Sequence, residues 1–337
     1  MTRVAVIGAG SWGTTVAALL APRVDTVLWA RREDVAGEIR ETGFNAAYLG
    51  EFRLPGRLAA TSVLEEALGD ATIVVLAVPS HGLRAVLETS RSVVRHDAVV
   101  LSLGKGLERV TNARMSEVVS QCWPGRPVGV LTGPNLASEV LLGQPTASVI
   151  AMRDEAIATD LQHLFNSERL RVYTNTDVIG CEIAGVVKNV MAIACGMAIG
   201  LGFGDNTRAA LITRALAELS RIGVALGGEE RTFAGLAGVG DLVATCTSEK
   251  SRNFAIGVAL GRGRPLAEVL GATRMIAEGV LSSEPTVELA RRLGVEAPVS
   301  EEVAAVCFAG RAPADTIPRL MGRAARAEFD RLGPLGG

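Results

Sequence analysis

Lys188 is the residue that most needs an account. Between Glu182 and Asp205 it is the only ionisable side chain of the usual kind. An ammonium inside so apolar a run is costly unless it is paired or used. Two other features share its half of the chain. The segment Gly235-Leu-Ala-Gly-Val-Gly-Asp241 ends in an acid beside the apolar Leu242-Val243, and Ser251-Arg252-Asn253 stands just ahead of a further helical pattern. Hydride transfer to a ketone needs a proton donor for the developing alkoxide. A lysine can serve if burial lowers its pKa and a neighbouring carboxylate raises it again, and Asp241 is a reasonable carboxylate for that task. An arginine at a helix start, next to free N–H groups, suits a phosphate. A purely structural ion pair of Lys188 with Glu182 or Asp241 is the alternative.

A second kind of chemistry is written at the start of the chain. Gly8-Ala9-Gly10-Ser11-Trp12-Gly13 matches G-x-G-x-x-G, follows the apolar run Val4–Ile7 and opens a helical pattern near Ser11. Gly8, Gly10 and Gly13 would allow a tight turn, backbone approach to a pyrophosphate and close packing of helix on sheet. At the end of the second predicted strand, where NAD-binding sites often carry an acid, stand Arg31 and Arg32. Arginine can grip a ribose 2′-phosphate through paired hydrogen bonds, which favours NADP(H), with NAD(H) as the alternative. The bland counterparts are an ordinary glycine turn and two solvated arginines.

These residues need a frame. In the first half, apolar runs at Val4–Ile7, Thr26–Trp29, Ile73–Val78, Ala98–Leu101, Val128–Leu131 and Ala147–Ala151 alternate with helical patterns. Runs without polar alternation suit strands buried on both faces, and strands separated by helices predict a parallel, doubly wound sheet. Pro79 and Gly104-Lys105-Gly106 then fall at carboxyl ends of strands, where such sheets bind ligands. After about Thr174 long helical patterns take over, at Val178–Met197, Thr207–Leu226, Phe254–Leu260, Pro265–Leu270, Glu284–Leu293 and Glu301–Phe308. The expected architecture is an α/β Rossmann-like doubly wound sheet over residues 1–175, followed by an all-α substrate domain over 176–330.

Composition narrows the function classes. A chain of 337 residues with 34 basic and 36 acidic side chains has no surplus of cations for sequence-independent nucleic-acid binding. It carries five cysteines in no CxxC pair and three scattered histidines, so no disulfide framework and no metal site is expected, and a reducing, cytoplasmic setting fits. The N-terminus lacks the profile of a secretory signal. The apolar stretch around Lys188 is nearly long enough to span a bilayer, but its glycines at 185, 196, 200, 202 and 204 favour a buried central helix over membrane insertion. The Ala/Gly-rich helix faces make a homodimer the expected assembly.

Together the motifs resemble the bacterial NAD(P)-dependent glycerol-3-phosphate dehydrogenases, nearly end to end. The resemblance is carried by GAGSWG at 8–13, LSLGKGLE at 101–108, LTGPNLASEV at 131–140 and EIAGVVKNVMAIACG at 182–196. GDNTRAALITRALAE at 204–218, GLAGVGDLVATCTSEKSRNF at 235–254 and IAEGV at 276–280 complete it. It implies reversible reduction of dihydroxyacetone phosphate to sn-glycerol 3-phosphate, feeding phospholipid synthesis. It also implies Lys188 as general acid/base supported by Asp241, and Lys105 reaching both substrate and cofactor. Gly133, Asn135, Ser251, Arg252 and Asn253 would hold substrate, with Asn189 and Thr245 as further contacts. Ser11, Trp12, Arg31, Arg32, Ala137, Arg252, Ile276 and Glu278 would belong to the dinucleotide site. Two positions depart from the family pattern: Asn135, where Ser or Thr is common, and Ile199, where an acidic or polar residue is frequent. Competing readings are a related two-domain dehydrogenase of another hydroxy compound and a non-catalytic NADP(H)-sensing protein. Histidine-based chemistry is disfavoured, because no histidine lies in the second half.

Overall fold

The computed structural model describes residues 2–272 and 277–322. Strands β1 (Arg3–Ile7), β2 (Asp25–Trp29), β3 (Ala59–Thr61), β4 (Ile73–Leu76), β5 (Val99–Ser102), β6 (Val128–Thr132), β7 (Thr146–Met152) and β8 (Leu170–Asn175) form one sheet. Its order is β3-β2-β1-β4-β5-β6-β7-β8. In β1, Val4 to Ile7 are fully buried, as strands covered on both faces must be. Ile7 pairs with Trp29 on one side and Leu76 on the other. The carboxyl ends of β1, β2 and β4 therefore lie level, and the strand order reverses between β1 and β4, which opens a crevice at that rim.

The sheet corrects the expectation in two respects. It is parallel from β3 to β6, but β7 runs antiparallel to β6, and β8 parallel to β7. The link from β6 to β7 contains only the short helix Ala137–Leu141, and antiparallel neighbours tolerate a short link where parallel ones need a full crossover. The strands β3 and β8 also lie outside the apolar runs. The first is only Ala-Ala-Thr; the second alternates, with Arg171 and Tyr173 exposed, because it is an edge.

The helical half is organised around the helix Val178–Gly200, whose residues from Gly180 to Ala198 are all buried. By length and composition it could cross a membrane, yet it is the core rod of this domain. Asp177 caps it: one carboxylate oxygen accepts from the Gly180 amide at 2.7 Å, the other from the Glu229 amide and the Thr232 hydroxyl. Helices Asp205–Ala225, Asp241–Thr247, Arg252–Gly261, Glu278–Arg292 and Pro298–Phe308 pack around it. Its closest neighbour is Arg252–Gly261, because glycines meet at the crossing. A Cβ on Gly257 would sit 2.2 Å from the Ile193 carbonyl, and one on Gly261 2.3 Å from that of Met197. Gly196 and Gly200 are equally close to the facing backbone. The glycine-rich segment before Asp241 is not a loop. It is a π-helix, Leu236–Gly240, running directly into Asp241–Thr247.

Candidate active site

The rim of the sheet supplies one wall of a cleft of 620 Å³. At its base the three glycines of the first turn have different physical reasons. Gly8 holds φ at +120°, and a Cβ there would strike the Ala77 carbonyl at 2.7 Å. A Cβ on Gly13 would fall 2.1 Å from the Gly8 carbonyl, so the helix Ser11–Leu20 can seat on the strand only with glycine at that point. Gly10 has nothing within 4 Å, which leaves open space above the helix N-terminus where an anion is favoured. Asn45, fully buried, fastens the turn by donating to the Ala9 carbonyl at 2.9 Å and to the Thr14 hydroxyl at 2.8 Å. Arg31 and Arg32 are exposed on the same wall, Arg32 in a two-pronged contact with Asp34 that raises its pKa.

The opposite wall is built from buried charge. Lys188 and Asp241 are only 6% and 2% exposed. Asp241 accepts through Oδ1 from Lys188 Nζ at 2.7 Å and through Oδ2 from Lys105 Nζ at 2.6 Å. Lys188 also donates to Thr245 Oγ1 at 2.7 Å, and Lys105 donates to the Gly133 carbonyl at 3.2 Å. Burial pushes the Lys188 pKa down to about 8, against the upward pull of Asp241, and the charge of Lys105 adds to the lowering. Burial would raise Asp241, but the two ammonium groups outweigh it and hold the carboxyl below its usual range. Lys105 reaches this cluster along the core helix because Gly185 leaves room: a Cβ there would press its Cγ at 3.3 Å. Asn189 then fixes the turn that carries Lys105 by donating to its carbonyl at 3.0 Å. Glu182 takes no part. It is engaged by Arg114 at 2.6 Å and by the Ser116 amide at 2.9 Å, so of the two partners foreseen for Lys188 only Asp241 meets it.

Arg252 begins the helix Arg252–Gly261, with Ser251 as its N-cap accepting from the Phe254 amide. Arg252 lines the cleft, and burial of its guanidinium lowers its pKa while Glu278 opposes the shift. Asn253 Oδ1 accepts from the Gly279 amide at 3.1 Å, which ties this helix to the start of Glu278–Arg292. Glu278 reaches across to the sheet domain and accepts from the Ser80 amide at 3.1 Å and the Ser80 hydroxyl at 2.8 Å.

The structure thus brings Gly8, Gly10, Ser11, Trp12, Gly13, Arg31, Arg32, Lys105, Asn135, Ala137, Lys188, Asn189, Asp241, Thr245, Ser251, Arg252, Asn253 and Glu278 to one cleft. Gly133 does not line it and contributes its carbonyl to Lys105 instead. Ile276 lies outside the described residues. Asn135 donates to the Ala147 carbonyl and to Ser148 Oγ at 2.9 Å, which fixes its carboxamide against β7. Ile199 packs at the edge of the apolar core. Sequence reasoning missed Asn45, Ser80, His81 and Lys250. Asn45 precedes a short helix, a signal for a cap, but its amide is spent on a turn 36 residues away. Ser80 follows Pro79 at a strand's carboxyl end, a position that could have flagged it.

Both lobes have counterparts among known proteins. The N-terminal model of NAD-dependent glycerol-3-phosphate dehydrogenase matches residues 3–158, and the C-terminal model matches 177–318. The chain is 49% identical to NAD(P)+ glycerol-3-phosphate dehydrogenase 2 of Sphingopyxis alaskensis, over 95% of this chain and 96% of that one. It is 50% identical to the NAD(P)+ glycerol-3-phosphate dehydrogenase of Corynebacterium diphtheriae, over 97% and 100%. The crystal structure of glycerol-3-phosphate dehydrogenase from Coxiella burnetii superposes with a TM-score of 0.92 at 35% identity, covering 96% of this chain and 99% of that one. With both halves matched by the two family models and relatives about half identical over nearly the whole chain, the chain belongs to the NAD-dependent glycerol-3-phosphate dehydrogenase family.

Proposed function

We propose that the cleft reduces dihydroxyacetone phosphate to sn-glycerol 3-phosphate, reversibly, with Lys188 as the proton donor. Family membership makes the chain an NAD(P)-dependent oxidoreductase acting on this small phosphorylated substrate. The observation that carries the residue assignment is the pairing of Lys188 with Asp241, at 2.7 Å, at the inner wall of the cleft. The open space over Gly10 and the amides of the helix start fit a dinucleotide pyrophosphate, which the backbone would hold. When bound, the reduced nicotinamide supplies the hydride.

The chain's own residues do the rest. Arg252 meets the substrate phosphate, with Ser251 and Asn253 shaping the helix start beneath it. This remote binding energy orients the carbonyl. Lys188, with its pKa near 8, holds a proton at neutral pH yet releases it readily as alkoxide charge develops. Asp241, kept ionised, positions both ammonium groups so that Lys105 stabilises the same developing charge. The ammonium groups supply the electrophile, so no metal enters this reading. Trp12, Ala137 and Glu278 are assigned to the dinucleotide side. Arg31 and Arg32 favour NADP(H) over NAD(H) through a 2′-phosphate contact. The same reading divides the chain near residue 175, where β8 ends and the core helix begins, and assigns it to the cytoplasm as a homodimer serving phospholipid synthesis. Steady-state assay of the purified protein with dihydroxyacetone phosphate, first with NADPH and then with NADH, tests reaction and cofactor together. Turnover with both and a lower KM for NADPH is expected. No oxidation of either cofactor with this ketone would refute the reading.

A further inference from the structure

Several ion pairs join the sheet lobe to the helical lobe, and they differ in burial. Arg114–Glu182 and Lys105–Asp241 are closed in, with side-chain exposures of 12% and 3%, and of 18% and 2%. Lys250–Glu139 is open, at 52% and 33%, although its nitrogen and oxygen lie 2.8 Å apart. Arg109–Glu284 is open too, but neither of its residues lines the cleft. Lys250 does line it. It immediately precedes Ser251 and Arg252, while Glu139 sits on the helix Ala137–Leu141 beside Ala137 and Ser138, which line the facing wall. The pair therefore bridges the mouth between the two groups of residues assigned to phosphorylated ligands.

An exposed lysine–carboxylate pair in water contributes little. A phosphate carries more charge and more acceptor oxygens than a lone carboxylate, so it competes well for the same ammonium. We propose that Lys250 is a second phosphate-binding cation, parked on Glu139 across the cleft mouth and transferred to the phosphate of a bound ligand. Only the flexible lysine side chain has to swing, and no bond is made or broken. The proposal rests on the reading that the cleft takes phosphorylated ligands. The phosphate is either that of the triose substrate or one of the dinucleotide's.

The test uses two variants with opposite expected signs, Lys250→Gln and Glu139→Gln, in the full-length protein. Lys250→Gln is expected to weaken phosphate binding about threefold to tenfold, and Glu139→Gln, which frees the lysine, to strengthen it about twofold at low salt. Two readouts distinguish the sources. A change in KM for dihydroxyacetone phosphate, together with the inhibition constant of inorganic phosphate, assigns the substrate phosphate. A change in the Kd of NADPH, read by its fluorescence without substrate, assigns the dinucleotide. Weakening by both variants to the same degree would identify the pair as a brace between lobes and overturn the proposal, as would no change in either readout. Absence of wild-type turnover would instead refute the assigned reaction, and the NADPH titration would still report on Lys250.

Discussion

The two walls of the cleft are made of different materials. The sheet wall offers backbone: a glycine turn, a helix N-terminus and arginines standing in solvent. The helical wall offers side-chain charge, buried and paired, with Lys188 and Asp241 almost sealed from water. Backbone groups hold a ligand whose shape is constant and cost little to leave exposed. Buried charges are costly to install, and a fold tolerates them where their perturbed proton affinity is put to work. On the proposed reading, holding the dinucleotide falls mainly to the sheet lobe and moving the proton mainly to the helical lobe, with Lys105 and Glu278 crossing between them, so damage to each wall has its own signature.

The largest effect is expected at the charged wall. Lys188→Ala should cut turnover by about two to four orders of magnitude, the span of a lost general acid, while NADPH binding measured by fluorescence stays close to wild type. Near-normal turnover would erase the division. Next comes the coupling inside that wall. With Lys188 as the proposed proton donor, the rate of reduction should fall as pH rises through about 8, and the reverse oxidation, which would use the neutral amine, should rise over the same window. In Asp241→Asn the upward pull on the lysine is gone, and the falling limb should move to lower pH by about one unit or more. An unshifted pH profile would separate Asp241 from the proton. The smallest effect belongs to the backbone wall. Arg31→Ala should raise KM for NADPH about tenfold, or ~1.4 kcal/mol, and leave NADH nearly unchanged. Equal losses for both cofactors would remove the 2′-phosphate from the account. Arg32, already engaged by Asp34, should respond less.

The same contrast explains what could be read before the structure. The glycine turn is a local device: six consecutive residues between a strand and a helix, so its chemistry is visible in a window of that length. The anomaly of Lys188 is equally local, since a charge in an apolar run stands out by itself. Its partner was less certain, because Glu182 and Asp241 were both within reason and only packing directs Glu182 to Arg114 and Ser116. The contact of Lys105 with Asp241 spans 136 residues and depends on Gly185 clearing a path along the core helix. No periodicity encodes that; the strand end and the motif resemblance point to Lys105, but not to its contact with Asp241. The reversal of β7 escaped because strand direction is decided by connection length and not by the apolar run itself. The edge strand β8 escaped because its outward residues are polar and break the run.

The glycine crossing in the helical lobe has a mechanical meaning. Four positions without side chains let two rods lie backbone to backbone, one bearing Lys188, the proposed proton donor, and the other beginning at Arg252, the proposed phosphate ligand. A single methyl group added at Gly196, Gly200, Gly257 or Gly261 would act as a shim, pushing apart the rod that carries Lys188 and the rod that begins at Arg252. The calibre of the site is thus set at a seam away from the cleft, by residues that do not line it.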